Sequence, residues 1–168
     1  LNNVYGLSIT DHEKVPALLL KLSELLRYSV YDTKELFVPL CQELDYLSNY
    51  IDFEKIRLGD RLVLTLNFDD VTDQSVSVPP MLFIVFIENA FKHSRDTPGE
   101  KIFIDISVRT YPDEIVLSVR NSCYRSDREG SKEKHSGVGL NNVRKRLSLM
   151  YENRHELTIN ESESDYSV

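Results

Sequence analysis

Four polar side chains stand at the end of the most apolar stretch of this chain. Met81-Leu82-Phe83-Ile84-Val85-Phe86-Ile87 is a run of seven apolar residues, and Glu88, Asn89, Lys92 and His93 follow it. A carboxylate can move a proton or orient water, an amide oxygen can ligate a hard cation, and an ammonium and an imidazole can face an anion. If the stretch is helical, Glu88 and Lys92 fall near one another with Phe91, while Asn89 and His93 share a side. A core helix ending in a solvated polar tail accounts for this stretch equally well. A second group lies further on, in His135-Ser136-Gly137-Val138-Gly139-Leu140. Two closely spaced glycines opening a helix, with Leu140, Val143, Leu147 and Met150 along one side, let backbone amides approach an anion. Gly-x-Gly alone is common in turns, so this signal is weak without the first.

The elements that must position these residues can be read from periodicity. Pro80 suits the first turn of a helix over Pro80 to Ser94, with Ile84, Ile87 and Phe91 on one face. Val15, Leu19, Leu22 and Leu26 mark an amphipathic helix from Val15 to Tyr28. Leu40, Leu44, Leu47 and Ile51 mark another, from Pro39 to Arg57, which Gly59-Asp60 stops. The short connection between these two suggests an antiparallel hairpin, used for dimerisation or for packing on a neighbouring domain. After Gly59 the period becomes two: Leu62, Leu64 and Leu66 read as a strand. Asp96 to Gly99 is a turn, Ile102 to Val108 alternates as a half-buried strand, and Ile115 to Val119 completes a hairpin. Arg120 to Ser136 is polar and reads as a mobile lid or a solvated connection. Leu157 and Ile159 suggest a further strand.

Composition narrows the function classes. The chain has 168 residues, 41% hydrophobic and 28% charged, which suits a soluble globular protein with one sizeable core and an appendage. A net charge of −7 argues against a nucleic-acid surface, because phosphate backbones are held by a basic excess. Cys41 and Cys123 lack metal-ligand spacing, and two free thiols are the simpler account, with a disulfide still open. The longest apolar run is far short of the roughly 20 residues that span a bilayer. The chain opens on Leu1-Asn2-Asn3 without an initiator Met, so a segment of a longer, membrane-bound protein is expected.

The order of motifs is more specific than any one of them: Glu88-Asn89-Ala90-Phe91-Lys92-His93, a hairpin, a loose loop, then Gly137-Val138-Gly139-Leu140. It resembles the nucleotide-binding domain of sensor histidine kinases, whose superfamily includes gyrase, heat-shock chaperone and mismatch-repair ATPases, with an N box followed by a G box. More narrowly the chain looks like the LytS/YehU group of two-component kinases. The likeness rests on Leu25-Leu26-Arg27-Tyr28-Ser29, on Glu43-Leu44, Asn49-Tyr50-Ile51 and Arg57 to Arg61, on Pro80 to His93, and on Gly137 to Leu147 with Tyr151. The resemblance implies an α+β fold: an α/β sandwich with a mixed, largely antiparallel sheet and helices on one face, preceded by a helical hairpin. It divides the chain into a helical segment over residues 1–59, part of a dimerisation region, and an ATP-binding domain over residues 60–168.

The same resemblance implies roles. Asn89 would ligate Mg²⁺, and Glu88 would orient water in the metal shell or assist proton removal. Lys92 and His93 would face the phosphates of ATP. Gly137 and Gly139 would let the loop close over them, with Leu140 beginning the helix behind. Asn121 stands where the family commonly has an Asp, in the turn after the hairpin strand, and its amide oxygen could accept the adenine amino group without charge. The family's phosphorylated His lies in a segment before a Leu-Asn-Asn like Leu1-Asn2-Asn3, and its final strand is expected to start near Val168 and be cut off. The expected activity is transfer of the γ-phosphoryl of ATP to an upstream His and on to a response regulator, in a homodimer whose missing upstream segments hold it at the inner membrane, this domain being cytoplasmic. The fragment alone is not expected to autophosphorylate. A nucleotide-binding scaffold without catalysis is the alternative, and an ATPase that drives a clamp ranks last.

Overall fold

The computed structural model describes residues 9, 12–31, 34–68, 75–94, 101–123, 136–162 and 165–168. By contacts the chain forms two compact units, one of Leu1–Leu62 with Asp70–Met81, the other of Val63–Asp69 with Leu82–Val168.

The first unit is built on two helices, α1 (Val15–Tyr31) and α2 (Leu40–Leu58), with a single-turn 3-10 helix at His12–Lys14 before α1. Lys21 Nζ reaches Asn49 Oδ1 at 2.7 Å and Tyr28 Oη reaches Glu43 at 2.8 Å, so later residues of α1 meet earlier residues of α2 and the pair is an antiparallel hairpin. Its seam is Leu18, Leu25 and Tyr28 against Leu40, Leu44, Leu47 and Ile51, all buried; the stripe of α2 is the expected one, whereas on α1 Leu19 and Leu26 of the expected stripe are exposed and their neighbours Leu18 and Leu25 take the seam. Tyr28 stacks on Tyr46 with ring centroids 4.5 Å apart. α2 starts directly after Pro39 and ends at Gly59, whose φ of 56° is one that glycine adopts without a Cβ penalty and whose N–H bonds Lys55 O. A two-residue ladder joins β1 (Val38–Pro39) to β3 (Ser77–Val78), and Leu40 N donates to Val76 O at 2.8 Å.

The second unit is a five-stranded sheet in the order β2 (Leu62–Phe68), β4 (Ile102–Thr110), β5 (Ile115–Ser122), β7 (Asp165–Ser167), β6 (Asn160–Glu161). The pairs β4–β5, β5–β7 and β7–β6 are antiparallel. Ile102, Ile104, Ile106 and Val108 of β4 and Val119 and Asn121 of β5 are buried, while the residues between them are mostly exposed. Alternation has put the apolar half of each strand on one face. Helices α3 (Ile84–Ser94) and α4 (Ser136–Met150) belong to this unit, α3 packing on β4, β5 and α4. The architecture is thus the expected α+β arrangement, with helices over one face of a largely antiparallel sheet after a helical hairpin.

Several local expectations are corrected. Pro80 does not open the helix: Met81 has φ 56°, which no helical turn tolerates, and α3 begins at Ile84 after the Phe86 N to Phe83 O bond. Helix α4 begins at Ser136 and not at Leu140, so Gly137 and Gly139 are helical residues of its first turn. β5 runs to Ser122, so Asn121 is on the strand and not in a turn after it. Leu157 and Ile159 precede the strand expected of them, and the ladder forms only at Asn160–Glu161. The final strand starts at Asp165 and its pairing continues through Val168, which exchanges backbone bonds of 2.8 and 2.9 Å with Val119. The turn at Asp96 to Gly99 and the body of the polar loop before Ser136 lie outside the described residues. Cys41 and Cys123 are free thiols. Among the described residues no helix is long and apolar enough to cross a membrane.

Candidate functional site

Helix α3 divides its residues by face. Ile84, Ile87, Ala90, Phe91 and Ser94 are buried, whereas Glu88 and Lys92 are exposed and Asn89 and His93 half-buried. The apolar run buries one side of the helix, and all four polar residues therefore fall on the other. Ser94, which closes the helix, spends its hydroxyl on Ala90 O at 2.7 Å and stays in the core.

Glu88 is exposed by area, yet the protein beneath it desolvates its carboxyl and pushes its pKa above the ordinary 4.5. Burial penalises the charged form, and nothing opposes it here. Such a carboxylate holds a proton more readily than a solvated one. Asn89 presents an amide nitrogen, Nδ2, that is buried and has no hydrogen-bond partner. Buried amides are normally satisfied, so an unpaired one on a face of charged residues suits a ligand-holding position.

Helix α4 meets α3 at this polar face. A Cβ at Gly139 would lie 3.2 Å from Cγ1 of Val85, one helical turn before Asn89. That is tighter than most real Cβ contacts, so a side chain at Gly139 would require Val85 to give by a few tenths of an ångström. The first four N–H groups of α4, from Ser136 to Gly139, have no partner within the helix. Partial positive charge is therefore present where α4 comes against α3. Gly137 shares this first turn, and half-buried Leu140 follows it within the helix.

Asn121 lies elsewhere on the same sheet face. It is 1% exposed, its Nδ2 donates to Ser122 O at 3.0 Å, and its Oδ1 is buried without a partner. The structure therefore puts Glu88, Asn89, Lys92 and His93 on one side of α3, brings Gly139 against Val85 of the same helix, and puts Asn121 on β5, on which α3 packs, with a free acceptor.

A metal would find little protein here. Among the described residues no group of three or more His, Cys, Asp or Glu could hold one. An amide oxygen from Asn89 is a hard donor, and Mg²⁺ is held by few protein ligands, taking the rest from phosphate and water. The residues present fit that mode and do not make a closed metal cage.

Two residues carry more than their sequence pattern suggested. Glu43 is fully buried in the first unit and accepts both Tyr28 Oη at 2.8 Å and Met81 N at 2.9 Å. Its position between Leu40 and Leu47 on the core stripe of α2 was the available signal. Tyr166, opposite Asn121, was missed because its strand was placed too late.

Residues 1–62 match the family model described as Histidine kinase. The sensor protein LytS of Bacillus subtilis (strain 168) is 34% identical over 94 residues, 56% of this chain and 16% of that protein. The sensor protein LytS of Staphylococcus haemolyticus is 26% identical over 160 residues, 90% of this chain and 27% of that protein. This chain thus spans less than a third of either relative. Among solved structures, the histidine kinase domain of the blue-light activated histidine kinase of Erythrobacter litoralis shares the fold, with a TM-score of 0.54, 13% identity, and coverage of 96% of this chain and 80% of that one. Residues 1–62 thus match the histidine kinase model, the chain is similar to part of the LytS sensor proteins, and it shares its fold with a histidine kinase domain.

Proposed function

We propose that this chain holds ATP with Mg²⁺ and serves a two-component sensor histidine kinase, which passes the γ-phosphoryl group to a His outside the chain and then to a response regulator. The observation that carries the reading is the close approach of α4 to the polar face of α3, a Cβ at Gly139 falling 3.2 Å from Val85. It supports the reading because the amino-terminal turn of α4 comes near the helix that carries an amide, an ammonium, an imidazole and a carboxylate of raised pKa. Together these groups suit a polyphosphate, because preoriented donors and positive charge oppose the charge that builds on a transferring phosphoryl group. Lys92 and His93 face the phosphates in this reading, and Asn89 offers the one protein ligand to the metal. Bound Mg²⁺ neutralises phosphate charge. Glu88 accepts a proton or orients water, and Asn121 offers its acceptor to the base.

Titration calorimetry of the chain with Mg-ATP tests this. Binding is expected, and Asn89→Ala should weaken it at least tenfold when Mg²⁺ is present, with little change for ATP in chelator. Absence of Mg-ATP binding overturns the reading.

The hairpin favours a second element of it. Leu19, Leu26 and Val30 are 46%, 55% and 55% exposed on α1 and recur with exposed Ser23 at spacings of three and four. An apolar stripe of that period on a helix fits a second copy of the same helix. Homodimerisation through α1 follows, with membrane attachment left to other segments of the parent protein. A scaffold that has lost catalysis would share the dimer and lack the Mg-ATP response.

A further inference from the structure

We propose that Glu43 is a positioning residue for the nucleotide site: its buried carboxylate holds Met81 in a left-handed backbone conformation, and that conformation sets where α3 begins. The ligand in this inference rests on the ATP reading above. Glu43 is 0% exposed, and Met81 N donates to its Oε2 at 2.9 Å. Both residues belong to the first unit, and the second resumes at the next residue, Leu82. α3 starts at Ile84.

Among the described residues, Met81 and Asn153 are the non-glycine residues with positive φ, at 56° and 55°. Asparagine visits that region readily because its short side chain can bond locally, whereas methionine meets the full Cβ penalty. Met81 therefore keeps its φ only if something beyond its own turn holds it, and the acceptor that does so stands 38 residues away in sequence. Tyr28 Oη donates to the same oxygen at 2.8 Å, so the carboxylate that Met81 meets is itself fixed. The residues after Met81 show what the conformation serves. Leu82 and Phe83 are buried, Phe83 O accepts Phe86 N at 3.1 Å, and Val85 in that first turn is the residue Gly139 approaches. With Met81 in an ordinary helical or extended conformation, the chain would leave it in another direction and this turn would lose its place. Glu88 and Asn89 follow one turn later on the same helix. A strained residue that its surroundings hold in place, just ahead of a ligand-holding helix, is the usual setting for such strain. Its size sets the effect: without the acceptor, Met81 should populate positive φ about 5- to 30-fold less, and apparent affinity should fall by the same factor.

The test is titration of the whole chain with Mg-ATP, beside hydrogen exchange at Phe86 N–H, which reads the first turn of α3 without any ligand. Glu43→Met fills the site without an acceptor and should weaken Mg-ATP about 5- to 30-fold and lower Phe86 protection. Glycine adopts positive φ freely, so adding Met81→Gly to Glu43→Met should restore both, while the urea midpoint stays lowered by the loss of the Tyr28 bond. Tyr28→Phe removes that bond alone and should leave Mg-ATP affinity unchanged. If Glu43→Met does not fold, Met81→Val decides, since it keeps Glu43 and the N–H but makes positive φ costlier for a β-branched side chain, and it should weaken Mg-ATP. Unchanged affinity in Glu43→Met or Met81→Val overturns the inference, as does a loss in Glu43→Met that Met81→Gly does not relieve, which would make the role one of hairpin packing. If the unaltered chain binds no Mg-ATP, the ATP reading falls, and Phe86 protection still decides whether Glu43 positions α3.

Discussion

Tyr28 and Glu43 meet across the helical hairpin, the phenol donating 2.8 Å to a carboxylate that is 0% exposed. The same carboxylate oxygen accepts Met81 N at 2.9 Å, where the backbone has φ 56°. One buried acceptor thus joins a residue of α1, a residue of α2 and the end of the first unit. Hydrogen bonds to a charged or partly charged acceptor are stronger than neutral ones, and a buried carboxylate left short of donors is costly. Tyr28→Phe keeps the stack on Tyr46 and removes only the donor, so it should lower stability by about 1–3 kcal/mol. Glu43→Ala should cost more, about 3–5 kcal/mol, since it also empties a packed site. Urea unfolding midpoints at constant m-value check both.

Gly139 gives a prediction of opposite character. In an exposed helix, Gly→Ala gains about 1 kcal/mol from backbone entropy. Here the new Cβ would stand 3.2 Å from Val85 Cγ1, a contact that a β-branched side chain relieves poorly. Gly139→Ala should therefore show no gain in thermal stability, and Gly139→Val should lose about 1–3 kcal/mol through overpacking. Combining Gly139→Ala with Val85→Ala should recover the helix-propensity gain. Non-additivity in that double mutant is the measurement, and strict additivity contradicts the close contact.

Most of the fold was legible because period and burial agree in it. The stripes Leu40, Leu44, Leu47, Ile51 and Ile102, Ile104, Ile106, Val108 can be buried in only one way, and they are. Glu88, Asn89, Lys92 and His93 were legible as one face for the same reason, since the buried face of α3 was clear. The boundaries were less so. Pro80 looked like a helix start, but Met81 adopts positive φ while its N–H is taken by Glu43, a long-range bond that local pattern cannot contain. Gly139 looked like part of a loop and lies in the first turn of α4 close to Val85, because a glycine's neighbours are set by tertiary contact. Tyr166 depended on register with Asn121, which only the paired strands define.

Glu88 leads to a pH dependence with a definite sign. Desolvation raises its folded pKa above the ordinary 4.5, so the protonated form is the one that folding favours. Its contribution to stability is fully present below about 4.5, the unfolded value, and is lost as pH rises through the higher folded value. Glu88→Gln should therefore be relatively more stable than the unaltered chain at neutral pH, with the difference shrinking as pH falls through that window. Unfolding midpoints of both proteins from pH 3.5 to about 7 check this. A difference that grows as pH falls would mean a lowered pKa and a partner for the carboxylate.

The apolar stripe of α1 yields the last prediction. Leu19, Leu26 and Val30 are exposed, and with Leu20 at 62% exposure they leave more apolar surface on one helix than a solvated face needs. If a second copy covers them, sedimentation velocity should show a species of twice the monomer mass that dissociates on dilution. Leu26→Glu puts a charge at the centre of the stripe, where desolvating it in a dimer is costly. It should shift the chain to monomer while leaving the hairpin folded, because Leu26 faces away from the buried seam of Leu18, Leu25 and Tyr28. Mg-ATP affinity of the monomeric variant should be unchanged, since every residue assigned to the nucleotide lies in the other unit. A chain that remains monomeric at all concentrations before mutation rules out pairing through α1, and loss of nucleotide binding in Leu26→Glu would tie the site to the exposed face of α1.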